Sequence, residues 1–321
     1  MPQSPSDRHA GLVAVTGATG FIGGHVLPAL ARAGFRLRVL TRHARAECDL
    51  DGAVEQVRGD LADREALTAL VRGADVVIHL AGLIKARSRT AFFSVNRDGT
   101  VALAQTLSRH APHARLILVS TLAAREPQLS AYAASNRAAE QAAQEILGER
   151  ISILRPPAVY GPGDRETLIF FQLARRRLVP LPGTATARVT LIHVADLAAA
   201  FVALARQPPA RAIFSLCDAR TDGYRWDEIM RAAAAAVGQR APRLVPLPGA
   251  LLAVIAGVGD LADLLGDARM LTREKLRELR HPDWSIPQSQ QVALPGWSPR
   301  FNLVDGFADA VGWYRRQGWL R

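Results

Sequence analysis

The sequence predicts an α/β fold, a Rossmann-type doubly wound parallel sheet with a smaller, discontinuous C-terminal substrate lobe. Three observations predict it. Apolar runs of strand length alternate with segments of helical length through the first half of the chain, as in parallel strands covered on both faces. A glycine-rich turn joins the first run to the first helical segment. After "RPPAVYGPGD" the alternation loosens and proline becomes common, which marks a change of architecture.

Taken in order, the leader "MPQSPSDRH" is short and polar and lacks the apolar stretch of a signal peptide, so residues 1–9 are expected to form a loose tail. The strands of the first domain are read from "LVAVT", "FRLRVL", "VEQVR", "DVVIHL", "RLILVS" and "ISILR". Two later strands, "VTLIHV" and "AIFSLC", follow, and the chain beyond Arg220 is expected to be helical with loops, including the alanine-rich helix in "RAAAAAVG". The expected division is a dinucleotide-binding domain over 10–160, to which 187–217 returns, and a substrate-binding lobe from 161–186 and 218–321. Within that lobe Leu251, Val254, Ile255, Val258, Leu261 and Leu265 follow helical spacing. They predict an amphipathic helix, since the uninterrupted apolar part ends at Asp260, too soon to span a bilayer.

With 321 residues, about half of them apolar, the chain has ample material for a large core. Cys48 and Cys217 are the only cysteines, which excludes a disulfide framework and a zinc cluster and fits a reducing cytoplasm. The net charge of +11 is almost wholly arginine, because Lys85 and Lys275 are the only lysines. Those arginines are scattered rather than gathered with aromatics, so no nucleic acid partner is expected. A small-molecule substrate is expected instead, in a monomer or homodimer, with membrane-surface contact the lesser alternative for the apolar segment.

"VAVTGATGFIGGHV" carries the strongest chemical signal. Gly17 permits a tight turn at the end of the first strand, Gly20 lets the backbone approach a pyrophosphate, and Gly23 lets the following helix pack close. The first-turn amides of that helix, with Thr19, Phe21 and Ile22 around them, suit a diphosphate. At the end of the second strand, "RVLTRHAR" has no acidic residue to bind a ribose diol. Thr41, Arg42 and Arg45 offer a hydroxyl and two guanidinium groups instead, which favours NADP(H) over NAD(H).

"TGATGFIG", in its Gly-x-x-Gly-x-x-Gly spacing, resembles the extended short-chain dehydrogenase/reductases of the NAD(P)-dependent epimerase/dehydratase family. "GDLAD" resembles the family's adenine-contacting pair, here Asp60 and Leu61, and "HLAG" the Ala81–Gly82 turn beneath the cofactor. "VNRDGT" matches its structural asparagine, Asn96. "RPPAVYGPGD", with Pro156, matches the stretch beside the nicotinamide, and "IHVADLA" the His193 and Asp196 segment. The resemblance covers about the first two hundred residues.

It implies that Tyr132 exchanges a proton with the substrate oxygen, helped by a hydroxyl after the fifth strand. Thr121 is favoured over Ser120 for that role, because the next position, serine in many members, is Leu122. It also implies a lysine four residues after the tyrosine, where "YAASN" has Asn136. Asn136 still suits a ribose hydroxyl but brings no charge, so the phenol is expected near its ordinary pKa of about 10. Lys85 is the only other lysine near these motifs and is weighed as a substitute cation.

Sugar-nucleotide enzymes of this family place a diphosphate-clamping arginine where this chain has Val189, with Arg188 one residue off and therefore on the other strand face. The leading expectation is an NADP(H)-dependent oxidoreductase acting on an apolar alcohol or ketone, similar to the 3β-hydroxysteroid dehydrogenase and dihydroflavonol reductase branches. A sugar-nucleotide epimerase or dehydratase, and a non-catalytic NADPH-binding subunit or sensor, are the alternatives. No metal is expected.

Overall fold

The computed structural model describes residues 10–43, 54–248, 252 and 272–320. The predicted leader, Arg45, Cys48 and, apart from Leu252, the apolar helical segment from Leu251 to Leu265 lie outside the described residues.

The chain starts with β1 (Ala10–Thr16), α1 (Phe21–Arg32), β2 (Phe35–Thr41), β3 (Val54–Arg58), α2 (Arg64–Val71) and β4 (Val76–His79). A short helix, α3 (Arg89–Phe92), runs through a π-helical turn at Phe93–Asp98 into α4 (Gly99–His110), which leads to β5 (Arg115–Val119), α5 (Ala131–Leu147) and β6 (Ile151–Arg155). Together with the later β11 (Ala212–Ser215), these strands form a seven-stranded sheet in the order β11-β6-β5-β4-β1-β2-β3. Every neighbouring pair is parallel.

Strand alternation splits the core between the two faces of this sheet. Val13, Val15 and Val39 pack with Val26, Leu27 and Leu30 of α1, and with Leu197, Phe201 and Leu204 of α7 (Val194–Arg206). The intervening Ala14, Leu40 and Val77 pack with Leu67 and Leu70 of α2, Leu103 and Leu107 of α4, and Ala143 and Leu147 of α5. The order reverses direction at β1, whose neighbours β2 and β4 lead to opposite edges, and a crevice opens there at the carboxyl ends of the strands.

A third cluster serves the C-terminal lobe. Tyr160 of β7 (Ala158–Tyr160) and Phe171 of α6 (Leu168–Ala174) meet Ile229 of α8 (Trp226–Ala236) and Phe307 and Tyr314 of α10 (Leu303–Arg316). The expected single strand "VTLIHV" is two: β9 (Arg188–Val189) and β10 (Leu191–His193). β10 pairs with β7, whereas β9 lies between β12 (Tyr224–Arg225) and β14 (Asp283–Trp284). Thr190 breaks the run between them, its buried hydroxyl donating to the Trp284 carbonyl at 2.7 Å. The region beyond Arg220 likewise contains strands as well as helices, since β13 (Arg243–Pro246) adds to β8 (Leu178–Leu181).

The "IHVADLA" motif fastens the end of the chain to the sheet. Buried Asp196 accepts the Arg300 and Phe301 amides at 3.0 and 2.9 Å, and its carbonyl accepts Trp297 Nε1 at 2.8 Å. His193 stacks on Phe301 and meets Asp309 at 3.2 Å.

Candidate active site

The turn after β1 has the shape a diphosphate requires. Gly17 has φ 73°, and a Cβ there would lie 2.5 Å from the Ala81 nitrogen, so only glycine lets this turn meet the one after β4. A Cβ on Gly23 would lie 2.4 Å from the Ala18 carbonyl oxygen, which is how closely α1 packs on the turn. Gly20 is the N-cap of α1 and no side chain caps the helix. The first-turn amides of Phe21, Ile22 and Gly23 therefore face the crevice with the positive end of the helix dipole, beside exposed Thr19.

His79 braces this turn from below. The Thr100 hydroxyl donates to the Asn96 carbonyl at 2.6 Å, so at 3.0 Å it accepts from His79 Nε2, and His79 Nδ1 accepts from the Thr16 hydroxyl at 2.6 Å. Both ring nitrogens are spent by the neutral imidazole, and burial pulls its pKa down to about 4. Asn96 fixes the loop beyond: its Oδ1 accepts the Leu83 amide at 2.7 Å, and its Nδ2 donates to the Leu83 carbonyl and to Ser135 Oγ. A Cβ on Gly82 would press on the same Oδ1 at 3.3 Å.

At the end of β2, where an adenosine ribose is expected, Thr41 is buried with no partner for its hydroxyl among the described residues, and Arg42 is exposed. Arg58 lies opposite Thr41 in the β2–β3 ladder and is exposed at the same edge. The sequence reading passed over Arg58. Its signal was the arginine directly before "GD", legible only once the parallel register set it beside Thr41. Asp60 is exposed and its Oδ1 accepts the Ala62 amide at 2.8 Å, while Leu61 packs against Gly99. An uncapped helix start, a glycine turn and a buried orphan hydroxyl form a cradle that fits a dinucleotide.

The chemical end is built by the N-terminus of α5. Ser130 caps the helix by accepting the Ala133 amide at 3.0 Å. Its hydroxyl donates to Glu278 Oε1, and the Ala131 amide donates to Glu274 Oε2 at 2.8 Å. Both acids come from α9 (Arg273–Arg280), so the C-terminal lobe grips the helix that carries Tyr132. On the sheet side, Glu140 of α5 takes a bidentate bond from buried Arg155, at 2.8 and 2.5 Å.

Tyr132 is partly buried, with the Phe92 ring at 6.0 Å and the Thr121 hydroxyl near enough to its phenol to lower the phenol's pKa. Thr121 also caps the following 3₁₀ turn by accepting the Ala123 amide at 3.2 Å. Ser120 is buried and its hydroxyl has no partner among the described residues. Leu122 packs against Cys217 and Ile286, and its amide donates to the Pro156 carbonyl, which joins the two strand ends beside the site. Thr121 rather than Ser120 thus meets the phenol.

One expectation fails here. The phenol does not sit at its ordinary value: burial raises its pKa, the Thr121 hydroxyl offsets part of the rise, and the Glu278 carboxylate adds to it. Asn136 donates one Nδ2 hydrogen back to the Tyr132 carbonyl at 2.9 Å, one helical turn away, and brings no charge to the phenol. Lys85 supplies no substitute cation, since its ammonium pairs with Glu166 at 2.7 Å on the surface. Arg188, the off-register arginine, bonds Asp222 and the Gly223 carbonyl, both at 3.2 Å, and Val189 packs against the lobe core.

Among the described residues no cluster of His, Cys, Asp or Glu is arranged to hold a metal ion, and no helix is long and apolar enough to cross a membrane.

Residues 13–217 match the model of the NAD dependent epimerase/dehydratase family. A Caulobacter vibrioides protein named ceramide reductase is 48% identical over 314 residues, covering 97% of this chain and 96% of that protein. The mitochondrial NADH dehydrogenase [ubiquinone] 1 alpha subcomplex subunit 9 of Arabidopsis thaliana is 32% identical over 203 residues, 60% of this chain and 50% of the subunit. The crystal structure of MoeE5 with UDP-glucuronic acid and NAD superposes with a TM-score of 0.70 at 22% identity, covering 96% of this chain and 99% of that one. That last likeness concerns the fold.

Proposed function

The chain belongs to the NAD dependent epimerase/dehydratase family, and from that premise we propose that it is an NADP(H)-dependent reductase that converts a ketone on a long-chain, ceramide-type lipid into a secondary alcohol. The observation that carries this reading is the near full-length 48% identity to the Caulobacter ceramide reductase, well above the identity to the sugar-nucleotide-bound neighbour. The site agrees with it. Arg188 is committed to Asp222 and Val189 to the core, so the diphosphate clamp of sugar-nucleotide enzymes has no counterpart at this position.

The Gly17–Gly23 turn, with Thr41, Arg42 and Arg58, would hold the cofactor, which when bound would supply the hydride for the carbonyl carbon. Tyr132 gives its phenolic proton to the carbonyl oxygen, and the nearby Thr121 hydroxyl steadies the phenolate left behind. A raised pKa keeps the phenol protonated through neutral pH, which suits the acid of a reduction and disfavours the base of an oxidation. In this reading Asn136 and Glu278 change the pH dependence of the rate rather than abolish turnover.

A non-catalytic role has one specific support, the likeness to the NADH dehydrogenase subunit in a chain whose expected lysine is Asn136. One experiment separates the readings: NADPH consumption by the purified protein with a keto-ceramide, a short apolar ketone and a UDP-sugar. Turnover on the keto-lipid with none on the UDP-sugar is expected. Tight NADPH binding without turnover on any of them gives the lead to the subunit reading.

A further inference from the structure

The loop after β4 leaves the site and becomes surface. Asn96 clamps Leu83 at the cofactor edge, and the next residue, Ile84, is 63% exposed. Lys85 then crosses to Glu166, ahead of α6. On α6, Ile169 is 45% exposed, Gln172 follows one turn on and is exposed too, and exposed Arg176 lies two residues past the end of the helix. Arg165 lies over the Trp319 ring at 4.3 Å from its centroid. Lys85, Arg165, Ile169 and Trp319 line one open groove.

Among the described residues the groove carries exposed Ile169, a partly buried indole, the cations Lys85 and Arg165 and one acid, Glu166, already paired to Lys85, and exposed Ile84 and Arg176 flank it in the chain. A cationic rim with isolated large apolar tips suits an anionic bilayer: the cations meet lipid phosphates, the indole sits at headgroup depth, and the isoleucines enter the acyl boundary. A second copy fits poorly, because isologous contact would set the same cations against each other. We infer that the Ile84–Ile169 rim docks on anionic membrane surface and brings the mouth of the site to the bilayer. The inference rests on the lipid-substrate reading for its purpose, but the surface is tested without turnover.

Co-sedimentation of the full-length protein with phosphatidylglycerol–phosphatidylcholine vesicles and with pure phosphatidylcholine vesicles tests it. Binding to the anionic vesicles, weakening with salt, is expected. Arg165→Ala with Arg176→Ala should weaken it by about fivefold per arginine, and Ile84→Ser with Ile169→Ser by about tenfold. Both double variants should keep the parent's rate on detergent-dispersed keto-lipid and lose rate on the vesicle-embedded form. The inference is overturned if the parent ignores anionic vesicles, or if either double variant binds them as the parent does. A dimer that the isoleucine changes dissociate, with no vesicle binding, would assign the rim to a second copy instead. If vesicle binding persists and no ceramide-type ketone is reduced, the substrate reading fails while the surface stands.

Discussion

Tyr132 and Asn136 share one turn of α5, and the charge between them decides how the phenol works. Burial and Glu278 raise its pKa, and Asn136, bonded back to the Tyr132 carbonyl, does nothing to lower it. Reduction needs the protonated phenol, so its rate should stay level through neutral pH. Oxidation of the alcohol needs the phenolate and should climb towards alkaline pH. Asn136→Lys places a cation nearby, worth on the order of 4 kcal/mol at 4 Å and an effective dielectric of 20. The oxidation profile should then move to lower pH, and its neutral rate should rise by at most about a thousandfold. Rate–pH profiles in both directions check this, and an unmoved profile would separate Tyr132 from the chemistry. His79 makes a second prediction at this scale. Its folded pKa, about 4, lies below the ordinary histidine value of 6.5, so its stabilising contribution is complete above pH 6.5 and is lost as pH falls from there towards 4. The full loss is about 3 kcal/mol. Urea unfolding across that window should show the decline, and His79→Gln should flatten it.

Helix α5 is fixed at its start by a different part of the chain. Ser130 caps it, and α9 closes on the same end through Glu274 and Glu278. Ser130→Ala should cost about 1 kcal/mol of stability, loosen the Tyr132 end and lower turnover more than NADPH affinity, as unfolding and calorimetry would show. The opposite pattern is expected for α1. Gly23→Ala pushes a methyl onto the Ala18 and Gly17 carbonyls, both backbone atoms that cannot swing aside. The phosphate turn must shift, so NADPH affinity should fall at least about tenfold with about 1–3 kcal/mol of destabilisation. Calorimetric titration reads both. The α1 turn was legible in the sequence because its glycines, strand and helix are contiguous. The α9 clamp was not, because Ser130 and Glu278 are 148 residues apart and nothing local links a cap to a distant acid.

Across the whole molecule, the proposed determinant of cofactor choice is the sheet edge at β2 and β3. We expect NADPH to bind more tightly than NADH, with Arg42→Ala and Arg58→Ala each removing about tenfold of the difference, solvent screening having reduced a charge-assisted bond worth roughly 1.5–3 kcal/mol. Equal affinities in the parent would remove both arginines from the phosphate. The sequence by itself determined the parallel α/β sheet, its strand runs, the phosphate turn, the family and the pairing of Tyr132 with Asn136. Each is written within a few residues, as strand alternation, glycine spacing or one helical turn. Only the tertiary structure decided that Thr121 rather than Ser120 meets the phenol, that Glu278 raises it, that Lys85 is spent on Glu166, and that Thr190 splits one expected strand between two sheets. Those outcomes depend on charges and hydroxyls brought together from segments far apart in the chain, and a pKa responds to that distance and burial, not to sequence order.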